Sequence, residues 1–253
     1  MSLILFLQPH LERREFRTGA VPLGLLLLVG LSVPRLDGAQ QQPAPELVEG
    51  FKTTRVFWQQ FEIARKIIEL RDPSVLPQLE SFLLDDDRHM RGNAAFVFAG
   101  LGDRRGFDVI TAILDDHLSR REGQGIPAGR WSLEGQVGAD RYYAVHLLGE
   151  LKDVRAVSIL VPLLKDEQVN YKVAWALGEI GGEPAVRGLI DALHVTSSDV
   201  RVIAIEALGK LNAKEALPSL RPLLDDSEKS HFGQQVSVAE AARAAITKLG
   251  VTR

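Results

Sequence analysis

The sequence predicts an all-α fold, an α-solenoid of about five to six stacked helical hairpins. Three observations predict it: a repeat of about thirty residues, a constant spacing between its apolar positions, and a column of small residues inside it. Two amphipathic patterns alternate in each unit, and both carry apolar residues three and four positions apart, as one face of an α-helix requires. One pair of such helices cannot bury its apolar side alone, whereas stacked pairs form a continuous core.

The two helices of each unit have separate patterns. The first reads Leu-x-x-Leu-Leu followed by acidic residues, and the second has a small residue at its centre and closes at a Leu-Gly-like pair. The first pattern starts at Leu79, Ile110, Leu160, Leu189 and Leu220, and the second closes at Leu70, Leu101, Leu151, Ile180 and Leu211. Successive positions are 31, 50, 29 and 31 residues apart in both sets. Two separate apolar columns therefore keep the same register.

A mostly small residue lies at the centre of each second helix. The column comprises Ile63, Ala94, Ala144, Val173, Ala204 and Ala242. Because the distance between two helix axes follows the size of the side chains between them, these residues predict close packing of neighbouring second helices.

The N-terminal region, residues 1–39, has the pattern of a secretory signal peptide. An uncharged apolar run of thirteen residues, 21–33, follows Arg13, Arg14 and Arg17. A membrane-spanning helix needs about 20 apolar residues, so this run is short for a span. We expect the protein to be exported, periplasmic or secreted, with no integral membrane span in the mature chain. A membrane anchor formed by the same segment and a misassigned start are the alternatives.

The rest of the chain is predicted to form a single repeat domain. Residues 40–50 are expected to be an extended linker, and the repeat units are expected to occupy residues 51–253. Two insertions interrupt the repeat, near residues 118–139 and near residues 227–235, both between the first and second helix of a unit. Insertions at one type of loop emerge from one edge of a solenoid, and such an edge often binds partners.

The second helix also carries a recognisable motif, V-R-x-x-A-x-x-A-L-G-x-L. Its most complete copy is formed by Val200, Arg201, Ala204, Ala207, Leu208, Gly209 and Leu211. The motif resembles the short HEAT-like repeats of the phycobilisome-lyase type, and the resemblance extends over roughly residues 55–250. It implies a right-handed α-solenoid whose second helices line the concave face. The motif is specific for the fold and says almost nothing about activity.

Composition and missing motifs exclude several classes of function. The formal net charge is −3, from 30 basic and 33 acidic residues, which argues against nucleic acid as a partner. The absence of cysteine excludes disulfides and thiolate metal sites. None of the 6 histidines precedes a glutamate, so the repeated His-Glu pairs of di-iron hydroxylases built on similar repeats are absent. We predict no metal, no cofactor and no identifiable catalytic residue.

Acidic pairs recur where the chain leaves the first helix of a unit. They are Asp85–Asp86, Asp115–Asp116 and Asp225–Asp226. We interpret them as groups that solvate the turn and cap the following helix, in preference to calcium ligands or catalytic carboxylates.

Two neighbouring second helices carry large aromatic residues on one face. Tyr142 and His146 are four residues apart on one helix, and Tyr171 and Trp175 are four apart on the next. Aliphatic residues already fill the core positions of these helices. The four rings, which we call the aromatic stripe, are therefore predicted to line an exposed groove. Partial packing under the longer insertion is the alternative. The predicted partner-binding residues are Tyr142, His146, Glu150, Tyr171, Trp175 and Glu179, together with Trp131.

Trp131 lies in the longer insertion, which is rich in glycine and otherwise polar. Three interpretations stay open: Trp131 packs against the solenoid and holds the loop, it contacts a partner, or the loop has no fixed structure. Phe232 has a similar setting in the shorter insertion.

These observations favour a non-enzymatic interaction module that holds a protein or peptide along the concave face and one loop edge, as a monomer or as a subunit of a complex. The resemblance implies an alternative, a bilin-lyase-like enzyme or subunit that binds a flat ligand. In that alternative His146, Tyr142 and Glu150 are acid–base candidates, because they lie within two helical turns on one face. A third interpretation is a structural scaffold whose insertion covers the aromatic stripe.

Overall fold

The computed structural model describes residues 43–118, 133–231 and 235–250, with backbone alone for residues 133–135. Twelve α-helices occur in these ranges. They are α1 (Ala44–Thr53), α2 (Phe57–Leu70), α3 (Leu76–Leu79), α4 (Arg88–Gly100), α5 (Arg104–Asp115), α6 (Leu133–Leu151), α7 (Val157–Leu160), α8 (Asn170–Ile180), α9 (Gly182–Ala192), α10 (Ser198–Lys210), α11 (Leu217–Leu220) and α12 (Val238–Gly250). Among the described residues they form six hairpins, an odd-numbered first helix and an even-numbered second helix in each. The predicted all-α solenoid is confirmed.

Three of the first helices are short and flanked by 3₁₀ turns. The turns around α3, α7 and α11 are Pro73–Val75, Glu80–Leu84, Val154–Ala156, Val161–Lys165, Lys214–Ala216 and Arg221–Asp225. Pro162 and Pro222 are the second residues of two of these turns. Because proline lacks the backbone N–H and its ring clashes with the carbonyl four residues earlier, continuation of a regular α-helix is disfavoured at both positions.

The hairpins stack in the order of the sequence. Each second helix packs against the next, from α2 on α4 through to α10 on α12, whereas contacts between neighbouring first helices are sparse. The second helices are therefore the more closely spaced layer, and closer spacing on one side curves the stack toward that side. The second helices form the inner, concave layer, in agreement with the family resemblance.

Small residues set the spacing of this inner layer. The predicted column is buried at Ala94, Ala144, Val173, Ala204 and Ala242, while Ile63 is half-buried. Neighbouring second helices, however, approach each other most closely at the glycine of the Leu-Gly pair. A Cβ atom on Gly149 would lie 3.0 Å from Cα of Ala176, and one on Gly178 would lie 2.7 Å from Cβ of Ala207.

The predicted linker is wrong over most of its length. Residues from Ala44 onward form α1, which buries Leu47, Val48 and Phe51 against the first hairpin. Pro45 is compatible with this helix because the first-turn N–H groups have no intrahelical partner. The predicted signal peptide, residues 1–39, lies outside the described part of the chain. No described helix has both the length and the apolar character needed to cross a membrane.

The predicted bounds of the longer insertion are also too wide. Helix α6 begins at Leu133, so residues 133–139 belong to the second helix and not to the loop. The described ends of both insertions lie at the N-terminal ends of second helices. Arg88 donates to the carbonyl of Leu118 at 2.8 Å, and the Ser198 hydroxyl donates to the carbonyl of Lys229 at 3.0 Å. Both insertions therefore start from the same edge of the stack.

The acidic residues after the first helices join neighbouring units. Asp226 accepts from the backbone N–H of Glu228 and lies 2.9 Å from Arg201, which is on the second helix of the preceding unit. Asp166 lies 2.7 Å from Arg141 in the same relationship.

The prediction that the acidic pairs serve the turn is supported, because Asp85, Asp116 and Asp226 each accept a backbone N–H bond within it. The predicted cap is wrong at α4, where Asp87 caps the helix in place of Asp85 or Asp86. The contacts with an arginine of the neighbouring unit were not indicated by the repeat pattern alone.

Candidate functional site

The aromatic stripe brings residues of two neighbouring hairpins into contact. The ring centroids of Tyr142 on α6 and Tyr171 on α8 are 5.4 Å apart, and their hydroxyl groups share a hydrogen bond. The centroids of His146 and Trp175 are 5.1 Å apart. All four side chains are half-buried. They therefore form a continuous surface of rings, neither sealed in the core nor fully open to solvent.

His146 is held as a neutral ring. Burial lowers its pKa from 6.5 to about 3, and the positive charges of Lys172 and Arg65 act in the same direction. Its Nδ1 atom is buried and has no hydrogen-bond partner among the described residues. The acid–base role that the enzyme alternative gives to His146 needs a pKa near the working pH, so this environment argues against that role.

A lysine that sequence analysis missed lies beneath the stripe. The Nζ atom of Lys172 is 3.4 Å from the ring centroid of Trp175 and 5.4 Å from that of Tyr142. Burial lowers the pKa of Lys172 to about 7, although the negative charges of Glu150 and Glu179 oppose the shift. The signal available in the sequence was a charged residue between the aromatic Tyr171 and the apolar Val173.

The surface of rings also extends toward the N-terminus. Phe61 on α2 lies 5.2 Å from Phe96 on α4 and 5.3 Å from His146 on α6, measured between ring centroids. The predicted aromatic stripe included neither Phe61 nor Phe96. The contact between Phe61 and His146 joins helices two units apart, which the alignment of neighbouring units does not indicate.

Acidic residues line the C-terminal side of the stripe. Glu179 binds Lys210 and lies 3.5 Å from Lys152, and these contacts help to keep its pKa below its usual range although burial opposes the shift. Glu150 is half-buried beside His146. Glu206 on α10 is exposed, and partial desolvation of its carboxyl group raises its pKa. The predicted residues Glu150 and Glu179 thus border the rings, as their spacing indicated.

The shorter insertion is tied to the helix next to the stripe. The backbone N–H of His231 donates to Asp199 at 2.6 Å, and Nδ1 of His231 lies 3.1 Å from the other oxygen of that carboxylate. Asp199 is at the start of α10, and its charge also acts on Tyr171. The loop edge and the aromatic stripe are therefore adjacent at this hairpin. Trp131 and Phe232 lie outside the described residues.

The site offers rings and hydroxyl groups in their neutral forms. Burial raises the pKa of both Tyr142 and Tyr171, so their hydroxyl groups keep their protons at neutral pH. Within residues 43–118, 133–231 and 235–250, no three histidine or acidic side chains come together in a way that could hold a metal ion. The arrangement suits stacking and hydrogen bonding with a ligand.

Two known families of helical repeats match parts of this chain. The family of HEAT repeats matches residues 133–201, and the family described as the PBS lyase HEAT-like repeat matches residues 200–226. The two matches together run from the start of α6 to the last first helix, the region that contains the aromatic stripe and the most complete copy of the motif.

Similar proteins come from two groups. The phycocyanobilin lyase subunit alpha of Picosynechococcus sp. PCC 7002 is 33% identical over 38% of this chain and 43% of that protein, and the one of Nostoc sp. PCC 7120 is 38% identical over 34% and 35%. The deoxyhypusine hydroxylase of Arabidopsis thaliana is 25% identical over 65% of this chain and 58% of that protein. The matches span less than two thirds of each relative.

Solved structures of related architecture are also similar. The complex of CpcE and CpcF of phycocyanin lyase from Nostoc sp. PCC7120 contains a chain that is 18% identical, with a TM-score of 0.39 over 81% of this chain and 82% of that chain. The stacked hairpins, the second-helix motif and the two family matches agree with one another. Residues 133–226 of the chain therefore match HEAT-like repeats, and residues 200–226 match the PBS lyase HEAT-like type.

Proposed function

We propose that this protein is a non-enzymatic scaffold that holds a protein or peptide segment along its concave face. The observation that carries the proposal is the half-buried aromatic stripe on the inner helix layer, with Tyr142 against Tyr171 and His146 against Trp175. Large rings already fixed by their neighbours lose little conformational freedom when a partner covers them, which favours binding. The neutral state of His146 supports a binding role over acid–base chemistry.

The edge that carries the insertions is the second part of the proposed surface. The shorter insertion is anchored by His231 on Asp199, one helix away from Tyr171. A partner that follows the stripe toward the N-terminal ends of the second helices would meet this loop. We propose that the loop edge sets which segment binds, while the stripe supplies most of the binding energy.

A double substitution tests this surface. Tyr171→Ala with Trp175→Ala removes two rings of the stripe, and the matched control Trp58→Ala removes an exposed tryptophan on α2. We expect chains that co-purify from the native envelope with the unaltered protein and with the control to be lost from the double variant, while helical circular dichroism is unchanged. Retention of the same chains by a folded double variant would show that the stripe is not the binding surface.

Export remains part of the proposal. The apolar run 21–33 after three arginines supports it, with membrane anchoring as the alternative. The mass of the purified native protein distinguishes them, because cleavage after Ala39 removes residues 1–39, whereas an anchor keeps them. A full-length protein found in the cytoplasm would contradict both.

A second candidate is a subunit that handles a flat ligand. Similarity to phycocyanobilin lyase subunit alpha over about a third of the chain favours it, and stacked rings are suited to a planar molecule. Visible absorbance of the protein purified from its native source separates the candidates. A bound pigment that is lost in the Tyr171→Ala, Trp175→Ala variant would favour this candidate, and a colourless preparation that captures a protein partner would favour the scaffold.

A further inference from the structure

We propose that Lys172 is a carbonyl-reactive amine, a site at which an aromatic aldehyde bound on the stripe forms a reversible imine with Nζ. This inference goes beyond the scaffold function, because it concerns a small ligand and a covalent bond and requires no protein partner. It rests on the position of the amine among the rings and on the absence of a paired carboxylate in the described residues.

The amine lies in an aromatic setting. Its Nζ atom is 3.4 Å from the ring centroid of Trp175 and 5.4 Å from that of Tyr142, and the lysine is buried. The rings beside it are half-buried and form part of the concave surface. A planar molecule that stacks on these rings would bring a substituent close to Nζ.

Lys172 differs from the other two lysines near the stripe. Lys152 and Lys210 both have exposed side chains and both pair with Glu179. Within the described ranges, Lys172 has neither an ion pair nor a hydrogen bond to a carboxylate. Its amine is therefore not fixed as an ammonium group by a neighbouring carboxylate, and it is free to react when it loses its proton.

The charged and titratable groups around Lys172 come from three helices. Tyr142, His146 and Glu150 from α6 and Glu179 from α8 interact with Lys172, Tyr171 precedes it in α8, and Asp199 from α10 acts on Tyr171. Glu150 and Glu179 raise the pKa of Lys172, but burial outweighs them and brings it to about 7. About half of the amine is then unprotonated at pH 7, compared with roughly one part in 3,000 for an ordinary lysine of pKa 10.5.

The reaction is balanced by the two reactants alone. The lone pair of the neutral amine attacks the carbonyl carbon, a C–N bond forms, and the carbonyl oxygen takes up a proton to give a carbinolamine. Loss of this oxygen as water leaves the imine, so that one amine and one aldehyde give one imine and one water molecule. The neutral rings and hydroxyl groups beside Nζ favour an uncharged aromatic aldehyde as the ligand.

Trapping with borohydride tests the site. The full chain is incubated with pyridoxal, which is an aromatic aldehyde, then reduced with borohydride and mapped by peptide mass spectrometry. We expect Lys172 to be modified at least tenfold faster than Lys152 or Lys210 at pH 7, with a half-maximal rate near the same pH. Absence of modification at Lys172, or modification no faster than at the two exposed lysines, would overturn the proposal.

Two variants test whether the modification occurs at Lys172 and whether the aromatic rings control the reactivity of its amine. Lys172→Arg keeps the positive charge but forms no imine, so it should lose the modified peptide while helical circular dichroism is unchanged. Trp175→Leu exposes the amine to more water, which raises its pKa. The pH of half-maximal modification at Lys172 should therefore rise by at least one unit. An unchanged pH profile in a folded Trp175→Leu protein would show that the aromatic setting does not control the amine, against the proposal.

Discussion

The hydroxyl group of Tyr143 donates a 2.5 Å hydrogen bond to Oδ1 of Asn93. Through Asn93 this bond continues a buried polar chain, because Nδ2 of Asn93 donates to Gln60 at 3.0 Å and Gln60 donates to the carbonyl of Phe51 at 3.0 Å. The chain of bonds runs through α1, α2, α4 and α6. It fixes the register of the first three hairpins in a way that apolar contacts alone do not, since buried polar groups tolerate only one pairing.

Loss of the Tyr143 hydroxyl should therefore destabilise the protein. In Tyr143→Phe the Oδ1 atom of Asn93 stays buried without this donor, and we expect the free energy of unfolding to fall by about 1–3 kcal/mol. The matched control is Tyr142→Phe, whose hydroxyl is on the half-buried stripe and can be replaced by water. Urea unfolding followed by circular dichroism measures both. Equal losses in the two variants would argue against a special role for the buried bond.

The buried neutral ring of His146 should make the fold sensitive to acid. Its pKa is about 3 in the folded protein, against 6.5 for an ordinary histidine, so the unfolded chain binds more protons between these two values. The stabilising contribution is fully present above pH 6.5 and is lost as the pH falls toward 3. Between pH 7 and pH 5 the free energy of unfolding should fall by about 2 kcal/mol from this group.

Replacing His146 with an aromatic residue that does not titrate tests the predicted acid sensitivity. His146→Phe keeps contacts with Phe61 and Trp175 but removes the proton equilibrium, so the difference in stability between pH 7 and pH 5 should shrink by that amount. His194→Gln replaces an exposed histidine and should leave the difference as it was. If His146→Phe unfolds with the same pH dependence as the unaltered protein, the acid sensitivity has another source.

Much of this arrangement could be predicted from periodicity. The spacing of the closing anchors placed Tyr142 beside Tyr171 and His146 beside Trp175, because equal register in two stacked helices brings equivalent positions together. Periodicity does not reveal how far a side chain reaches. The contact between Phe61 and His146, two units apart, depends on how far both side chains reach, and the setting of Lys172 depends on where its flexible side chain meets an aromatic ring.

Helix α1 could not be predicted from the repeat either, for a different reason. Helix α1 has its own amphipathic pattern, but Pro43 and Pro45 in a short polar stretch also suit an extended linker. Only burial of Leu47 and Phe51 decides between the two structures. Tertiary packing, which a local pattern does not contain, selects the helix.

Burial of the Lys172 amine should reduce stability near neutral pH. The folded pKa of about 7 lies below the usual 10.5, so the unfolded chain binds the proton more tightly between these values. The stability from this group is greatest above pH 10.5 and decreases as the pH falls to 7. Lys172→Met, which fills similar space without a charge, should raise the free energy of unfolding at pH 6 by about 1–3 kcal/mol.

The gain from Lys172→Met should also depend on pH. It should become smaller as the pH rises from 7 to 10, because the native amine is then neutral in the folded protein. Lys210→Met is the control, since Lys210 is exposed and paired with Glu179, and it should be neutral or slightly destabilising at every pH. A Lys172→Met protein that is less stable than the parent at pH 6 would mean that the contact between the ammonium group and Trp175 outweighs burial.

The close contact between α4 and α5 predicts the effect of a single methyl group. A Cβ atom on Gly106 would lie 2.2 Å from the carbonyl oxygen of Ala95 and 2.3 Å from the backbone nitrogen of Ala99. Both atoms belong to the α4 backbone, so neither can move as a flexible side chain would. Gly106→Ala must separate the two helices, and we expect a loss of about 1–3 kcal/mol in the free energy of unfolding.

If close packing is the reason that Gly106→Ala lowers the stability of the protein, Gly50→Ala should not lower it. Gly50 lies inside α1, where a new Cβ would meet only Cδ1 of Ile63 at 3.5 Å, an ordinary contact distance. Alanine favours the helix over glycine by about 0.5–1 kcal/mol, so this variant should be as stable as the parent or more stable. Thermal unfolding of both variants makes the comparison. Similar stability of the two would show that α4 and α5 have room for a methyl group and that Gly106 does not set their distance.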